Sequence, residues 1–139
     1  MEKILNYING ALVEPINNSF LDNYNPSIGK VYSQIPDSNE KDVDLAYAVA
    51  NEAFASWSAT PKEERSKIMM RIADLIEENL EQLAKAESMD NGKPVKLATQ
   101  VDIPRAASNM RFFATAILHY ASESHDMDGE AINYTLRKP

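Results

Sequence analysis

The sequence predicts an α+β fold, and three observations carry that prediction. Turn-punctuated apolar stretches fill residues 1–36, three long stretches between 38 and 125 place apolar residues at helical spacing, and an alternating stretch within 128–139 reads as a strand. The expected architecture is N-terminal β-hairpins, three long amphipathic α-helices with the third kinked near Pro104, and a C-terminal β-strand. The 139 residues make a single region, long enough to bury a core of its own. Hydrophobic residues at 44% and charged ones at 25% give a globular balance, not that of a disordered chain.

The first hairpin joins "ILNYI" to "ALV" through Asn9-Gly10, the pair favoured where both turn positions need positive φ. The second joins "FLDNY" to "KVYSQI" around residues 25–29. Val43, Ala46, Tyr47, Ala50, Phe54 and Trp57 then recur at helical spacing behind the candidate caps Ser38 and Asn39, predicting a helix over 40–57. "TPKE" predicts the next start, with Thr60 as N-cap, Pro61 at the first helical position and Glu63 closing a capping box. That helix carries Ile68, Ile72, Leu75, Ile76 and Leu83 on one face and stops at Asn91-Gly92, with Pro94 beyond.

The third helix runs from near Val95 to about Ser122, with Ile103, Ala107, Met110, Phe113, Ala114, Ile117 and Leu118 as its apolar stripe. Pro104 lies inside it. An internal proline loses a backbone hydrogen bond and clashes with the preceding turn, at about 3 kcal/mol, so a kink or restart near 102–104 is expected. Asp128-Gly129 reads as a turn and "AINYTL" as a strand with no partner downstream. Each helix is amphipathic with little chain left to cover it: the helices pack on one another, or the chain is a piece of something larger.

A net charge of −7 argues against nucleic acid and anionic membrane as partners, which require clustered Lys and Arg. There is no apolar run of about 18 residues to span a bilayer, and "MEKILNYING" lacks the apolar region of a signal peptide, so a cytoplasmic location is expected. The absence of cysteine fits a reducing compartment and removes disulfides, thiolate metal sites and cysteine nucleophiles.

Gly10, Gly29, Gly92 and Gly129 lie too far apart for any glycine-rich phosphate loop. His119 and His125 are not at metal-ligand spacing, and Glu77, Glu78 and Glu81 read as a solvated helix face. For Asp90-Asn91-Gly92-Lys93-Pro94, a helix stop is a sufficient reading; the functional alternative is an Asp90 carboxylate turned to a cation or to neighbouring backbone. At about 100° per residue, Asp102, Arg105, Asn109 and Phe112 cluster away from the apolar stripe. Spacing favours a solvated Asp102–Arg105 pair worth about 0.3 kcal/mol. The alternative is a guanidinium held beside an amide and a ring, suited to bidentate capture of a carboxylate.

"NYINGALVEP", "NPSIGKVYSQIP", "KDVDLAYAVANEAFASWS", "PKEERSKIMMRIADLIEENLEQLAKAESMDNGKP" and "INYTLRKP" resemble, in order and spacing, the N-terminal segment of the NAD(P)-dependent aldehyde dehydrogenase superfamily. "VDIPRAASNMRFFATAILHYASES" is closer to the branch of 2-aminomuconic and 2-hydroxymuconic semialdehyde dehydrogenases. The resemblance implies a partial aldehyde dehydrogenase fold, with 128–139 a strand of the oligomerisation region. The family forms a cysteine thiohemiacetal, transfers hydride to nicotinamide and hydrolyses a thioester by water that a glutamate activates. In that family the Rossmann core, the Pro-Trp-Asn motif, the glutamate and the cysteine lie C-terminal to such a segment.

The resemblance therefore implies an N-terminal fragment whose parent oxidises a carboxylated semialdehyde with NAD(P), the chain alone being inactive and binding no cofactor. It also implies that Arg105, with Asn109 and Phe112 beside it, borders the substrate pocket and holds the carboxylate distal to the aldehyde. Asp90 matches a family aspartate near a monovalent-cation site, together with backbone around Asn23 and Tyr24. Self-association or a homo-oligomer is expected, because exposed apolar faces and an unpaired strand edge seek partners. A standalone α-rich interaction module is the competing reading. A small NAD-binding domain is disfavoured by the glycine count.

Overall fold

A computed structural model describes residues 1–136; the last three positions of the strand predicted to reach Pro139 lie outside the described residues. The elements are β1 (Glu2–Lys3), β2 (Asn6–Ile8), β3 (Ala11–Val13), β4 (Phe20–Asn25), β5 (Lys30–Pro36), α1 (Glu40–Ala59), α2 (Lys62–Glu78), α3 (Leu80–Asn91), α4 (Val95–Leu97), a π-turn (Ala98–Asp102), α5 (Ile103–His119), β6 (Ser124–Met127) and β7 (Ala131–Tyr134).

Both N-terminal hairpins form as the turn residues require. Asn9 and Gly10 have φ of 54° and 75° and pair β2 with β3 antiparallel. β4 and β5 pair antiparallel with an irregularity at Asn23/Tyr24, and β1 adds to β5 in parallel, which the sequence pattern does not show. The β4–β5 turn is closed locally: the Asn25 side chain accepts from the Ser27 N–H and the Asn25 carbonyl from Gly29.

α1 begins at Asn39, whose side chain accepts from the Lys41 N–H while the Asp42 carboxylate accepts from the Asn39 N–H. Asp42 also accepts from the Ile16 N–H at 2.9 Å, tying the helix start to the loop at the buried Pro15. The box predicted at Thr60 does not form. The Thr60 hydroxyl instead donates to the Ser56 carbonyl of α1, Thr60 is held extended ahead of a proline, and Pro61 becomes the N-cap of α2 without a side-chain bond.

The long helix predicted from 61 to 91 is two helices. At Asn79 (φ −106°, ψ 19°) the side-chain amide and the backbone N–H both donate to the Leu75 carbonyl, a local competition that breaks the ladder between α2 and α3. α3 ends as predicted, with Gly92 left-handed at φ 82° and its N–H on the Ser88 carbonyl. The disturbance predicted near Pro104 is a π-turn: the Ile103 N–H reaches back five residues to the Ala98 carbonyl, and Pro104 falls in the first turn of α5, where a missing N–H is tolerated. α5 ends at His119, short of the predicted Ser122, because Tyr120 turns extended.

The final strand does have a partner, lying upstream of it. β6 and β7 form an antiparallel hairpin through Asp128 (φ 53°) and Gly129 (φ 82°), so residues 124–127, predicted as helix and its exit, are strand.

α2 and α5 run antiparallel. Lys62, at the start of α2, donates to the Leu118 carbonyl near the end of α5, and Arg111 pairs with Asp74 and Glu77 farther along α2. The fully buried residues of this helical layer are Ala73, Ala84, Ala98, Ala107 and Ala114, small side chains that let the helix backbones approach closely. The stripe predicted as the core face of α1 is open instead: Val43, Tyr47, Phe54 and Trp57 are all exposed, and β2 approaches the helix near Val43 and Ala46 without covering them. Phe113, expected in the α5 stripe, is also exposed, since the buried edge of α5 is the narrow line of Ala107 and Ala114.

Candidate functional site

The site is built where α3, the loop after it and the π-turn meet. Gly92 lies against Pro26, where an added Cβ would stand 3.2 Å from the Pro26 Cβ, and the Ser27 hydroxyl donates to the Gly92 carbonyl. The next residue is held on both sides: the Lys93 N–H donates to Asn91 Oδ1 at 3.0 Å, and its carbonyl accepts from the Ser88 hydroxyl at 2.6 Å. The Lys93 ammonium thereby reaches Asp102 Oδ2 at 2.7 Å and Glu87 Oε1 at 3.0 Å. Those two acceptors, Asp102 foremost, raise its pKa above the ordinary lysine value.

Arg105 stands one turn beyond. Its Nη2 is 3.7 Å from Asp102 Oδ1, too long for a hydrogen bond, and its side chain is 69% exposed. Asn109 and Phe112, four and seven residues on, share its face and are exposed with it. Phe112 meets Phe113 edge to face, with centroids 5.1 Å apart at 79°. The structure thus brings Arg105, Asn109 and Phe112 together as one outward face carrying a cation, an amide and a ring. This face is open surface. Two concavities lie elsewhere: one follows the α2–α3 break around Glu77 to Lys85, and a groove of about 230 Å³ runs between Asn6, Tyr7, Ser38 and Val43.

Asp90, at the end of α3, is turned to the β4–β5 pair. The Tyr32 hydroxyl donates to Asp90 Oδ1 at 2.7 Å and the Asn23 amide donates to the same oxygen at 3.0 Å. Asn23 comes first and Tyr32 second in holding this carboxyl below its ordinary pKa of 3.8, while the same bond raises the Tyr32 phenol above 10.0. Two donors on one oxygen satisfy the carboxylate by hydrogen bonding, and no cluster of three metal-ligating side chains exists among the described residues. The observed partner of Asp90 is the sheet.

Three contacts in and near this arrangement have no signal in the sequence pattern. Lys93 and Asp102 are separated by Pro94 and a change of helix phase, so no periodicity relates them. Tyr32 lies 58 residues from Asp90. Arg111, whose guanidinium donates to Asp74 and Glu77 across the α2–α5 contact, sits one residue from Phe112 yet faces the other way. The four glycines sit at four separate turns, so the described residues offer no glycine-rich cradle for a dinucleotide.

Strand pairs feeding a close-packed helical layer are an arrangement shared with solved structures. One is PnpE in complex with nicotinamide adenine dinucleotide (TM-score 0.90, 34% identity, covering 96% of this chain and 27% of that one). Another is the NAD⁺ complex of an aldehyde dehydrogenase from Bacillus cereus (TM-score 0.91, 33% identity, covering 96% and 28%). The chain belongs to the aldehyde dehydrogenase family, whose profile matches residues 13–139. Among curated relatives, it is 45% identical over 135 residues to the 2-aminomuconic semialdehyde dehydrogenase of Bos taurus, covering 96% of this chain and 27% of that protein. The chain spans about a quarter of the length of the relatives it matches.

Proposed function

We propose that this chain forms one wall of the substrate pocket, and part of the subunit contact, of an NAD(P)-dependent aldehyde dehydrogenase acting on a carboxylated semialdehyde. The observation that carries the reading is the outward face of α5. Arg105 is too far from Asp102 for a hydrogen bond and is exposed beside Asn109 and Phe112. A planar fork of N–H donors whose nearest carboxylate, Asp102, stands beyond hydrogen-bond distance suits bidentate capture of a substrate carboxylate. Asn109 adds an amide donor one turn on, and Phe112 offers apolar surface to the carbon chain between carboxylate and aldehyde. The similarity to 2-aminomuconic semialdehyde dehydrogenases supports a carboxylated substrate.

Arg105 would then fix the far end of the substrate, so that the aldehyde reaches groups outside this segment. A nicotinamide cofactor, when bound by the rest of such an enzyme, supplies the hydride acceptor. With no cysteine, the 139 residues lack the thiol on which the family's acyl transfer depends, and by themselves they are expected to be catalytically silent. A cytoplasmic setting is in keeping with that cysteine-free composition. The exposed α1 stripe favours a second role alongside this one, as a contact surface through which copies of the chain associate.

The test is kinetic. In a complete dehydrogenase carrying this segment, Arg105→Ala and Arg105→Lys should raise KM at least tenfold for a carboxylated aldehyde and leave that for a neutral aldehyde nearly unchanged, as for loss of a charged hydrogen bond of roughly 1.5–3 kcal/mol. Equal effects on both substrates would refute the carboxylate role. NADH formation by the 139-residue chain alone would refute its silence.

A further inference from the structure

We infer that Lys93 is a positioning residue that keeps Arg105 available, by neutralising the carboxylate that would otherwise draw it into a hydrogen bond. Asp102 is 20% exposed, and a carboxylate so placed requires a counterion. Two cations are within reach. Arg105 lies at i+3 on the same helical run, the spacing at which such pairs close without help. Its Nη2 stays at the long ion-pair distance of 3.7 Å from Asp102 Oδ1, while Lys93 Nζ holds the other oxygen, Oδ2, at 2.7 Å and neutralises much of the charge that would draw Arg105 in.

Lys93 wins this competition through its backbone. Asn91 and Ser88 hold its N–H and carbonyl, Gly92 seats the loop on Pro26, and Glu87 steadies the ammonium from the α3 side. The side chain is only 27% exposed, against 69% for Arg105, so little freedom remains for it to lose on pairing. The π-turn ends at Asp102 and sets the carboxylate between the two cations. Lys93 therefore touches no substrate; it acts through Asp102 on Arg105.

The availability of Arg105 can be read on the chain itself from its guanidinium NMR signals. In the native chain these should be averaged by fast rotation. In Lys93→Met, Asp102 recruits Arg105, and rotation and Nε–H exchange should slow several-fold. Lys93→Met combined with Asp102→Asn should restore averaging, and Lys93→Arg should behave as the native chain. Should Lys93→Met lose amide dispersion, Lys93→Gln, which removes the charge but keeps a donor, serves in its place. Unchanged Arg105 signals in a folded Lys93 variant would overturn the inference.

Its catalytic consequence rests on the carboxylate reading of Arg105. In a complete dehydrogenase carrying this segment, Lys93→Met should raise KM for a carboxylated aldehyde by about three- to fivefold, the range expected of a partly exposed ion pair, with kcat and the neutral substrate unaffected. Adding Asp102→Asn should reverse the rise. If Arg105→Ala discriminates between the substrates and Lys93→Met does not, the inference falls and the carboxylate reading stands. If Arg105→Ala does not discriminate, that reading falls and the NMR result alone decides the role of Lys93.

Discussion

The helical layer of α2, α3 and α5 and the helix α1 both leave large apolar side chains exposed, Ile68, Ile72, Leu75 and Leu83 in the layer among them, but the layer also buries a line of small residues and α1 does not. In the layer, alanines at 73, 84, 98, 107 and 114 are fully buried, and Arg111 and Lys62 stitch α5 to α2. In α1 the larger side chains Val43, Tyr47, Phe54 and Trp57 are exposed, and they are joined at the C-terminal end of the chain by Ile132, Tyr134 and Leu136 in and beyond β7. Burial here follows the availability of a partner surface, not the hydrophobicity of the residue. Close approach of two backbones over small residues excludes water better than a large side chain with nothing opposite it.

If the contrast holds, substitutions of equal chemical size should have unequal effects. The largest is expected at Ala107→Leu, which forces extra methylenes into the α5 packing and should lower stability by about 1–3 kcal/mol, read as a fall in the denaturant midpoint. A change below 0.5 kcal/mol would mean that the layer is looser than its buried alanines indicate.

Asp90→Asn should come next, at about 1 kcal/mol, because the tie from α3 to β4–β5 is partly exposed and solvent screens it. Its pH dependence has a definite sign. Hydrogen bonds from Asn23 and Tyr32 hold the Asp90 pKa below 3.8, so the tie contributes fully above that value and is lost as pH falls through the lower folded-state pKa. The native chain should lose this stability below pH 3.8, and Asp90→Asn should remove that part of the acid transition. An identical acid midpoint in both proteins would count against the tie.

The smallest effect on stability, within about 0.5 kcal/mol, is expected for Tyr47→Ser with Phe54→Ser on α1. Light scattering should nonetheless show weaker self-association than for the native chain, since these residues supply the exposed apolar surface. Equal association would place the contact elsewhere, with the β6–β7 edge as the next surface to alter.

What could be read from the sequence divides along the same line. Asn9-Gly10, Asn39 with Asp42, and Gly92 do what their residue types predict, because each requirement is met within a few residues of chain. Thr60 failed as a cap because its hydroxyl had a competing carbonyl at Ser56, and Asn79 broke a helix whose apolar spacing ran on unbroken. The cluster of Arg105, Asn109 and Phe112 was legible, being a matter of helical phase within one element. Its setting was not. That Lys93 holds Asp102, and that Arg105 is consequently left exposed, depends on a loop folded against Pro26.

By itself, then, the sequence determined the turns, the start of α1, the stop of α3, the disturbance before Pro104 and the family likeness, all of which rest on short-range sterics or on residues in order. Only the tertiary structure decided which apolar faces are covered, that Asp90 finds Asn23 from 67 residues away, and which of two cations Asp102 takes. Those outcomes are competitions between groups distant in the chain. They are settled by which groups folding brings within bonding distance, a quantity that no local spacing encodes.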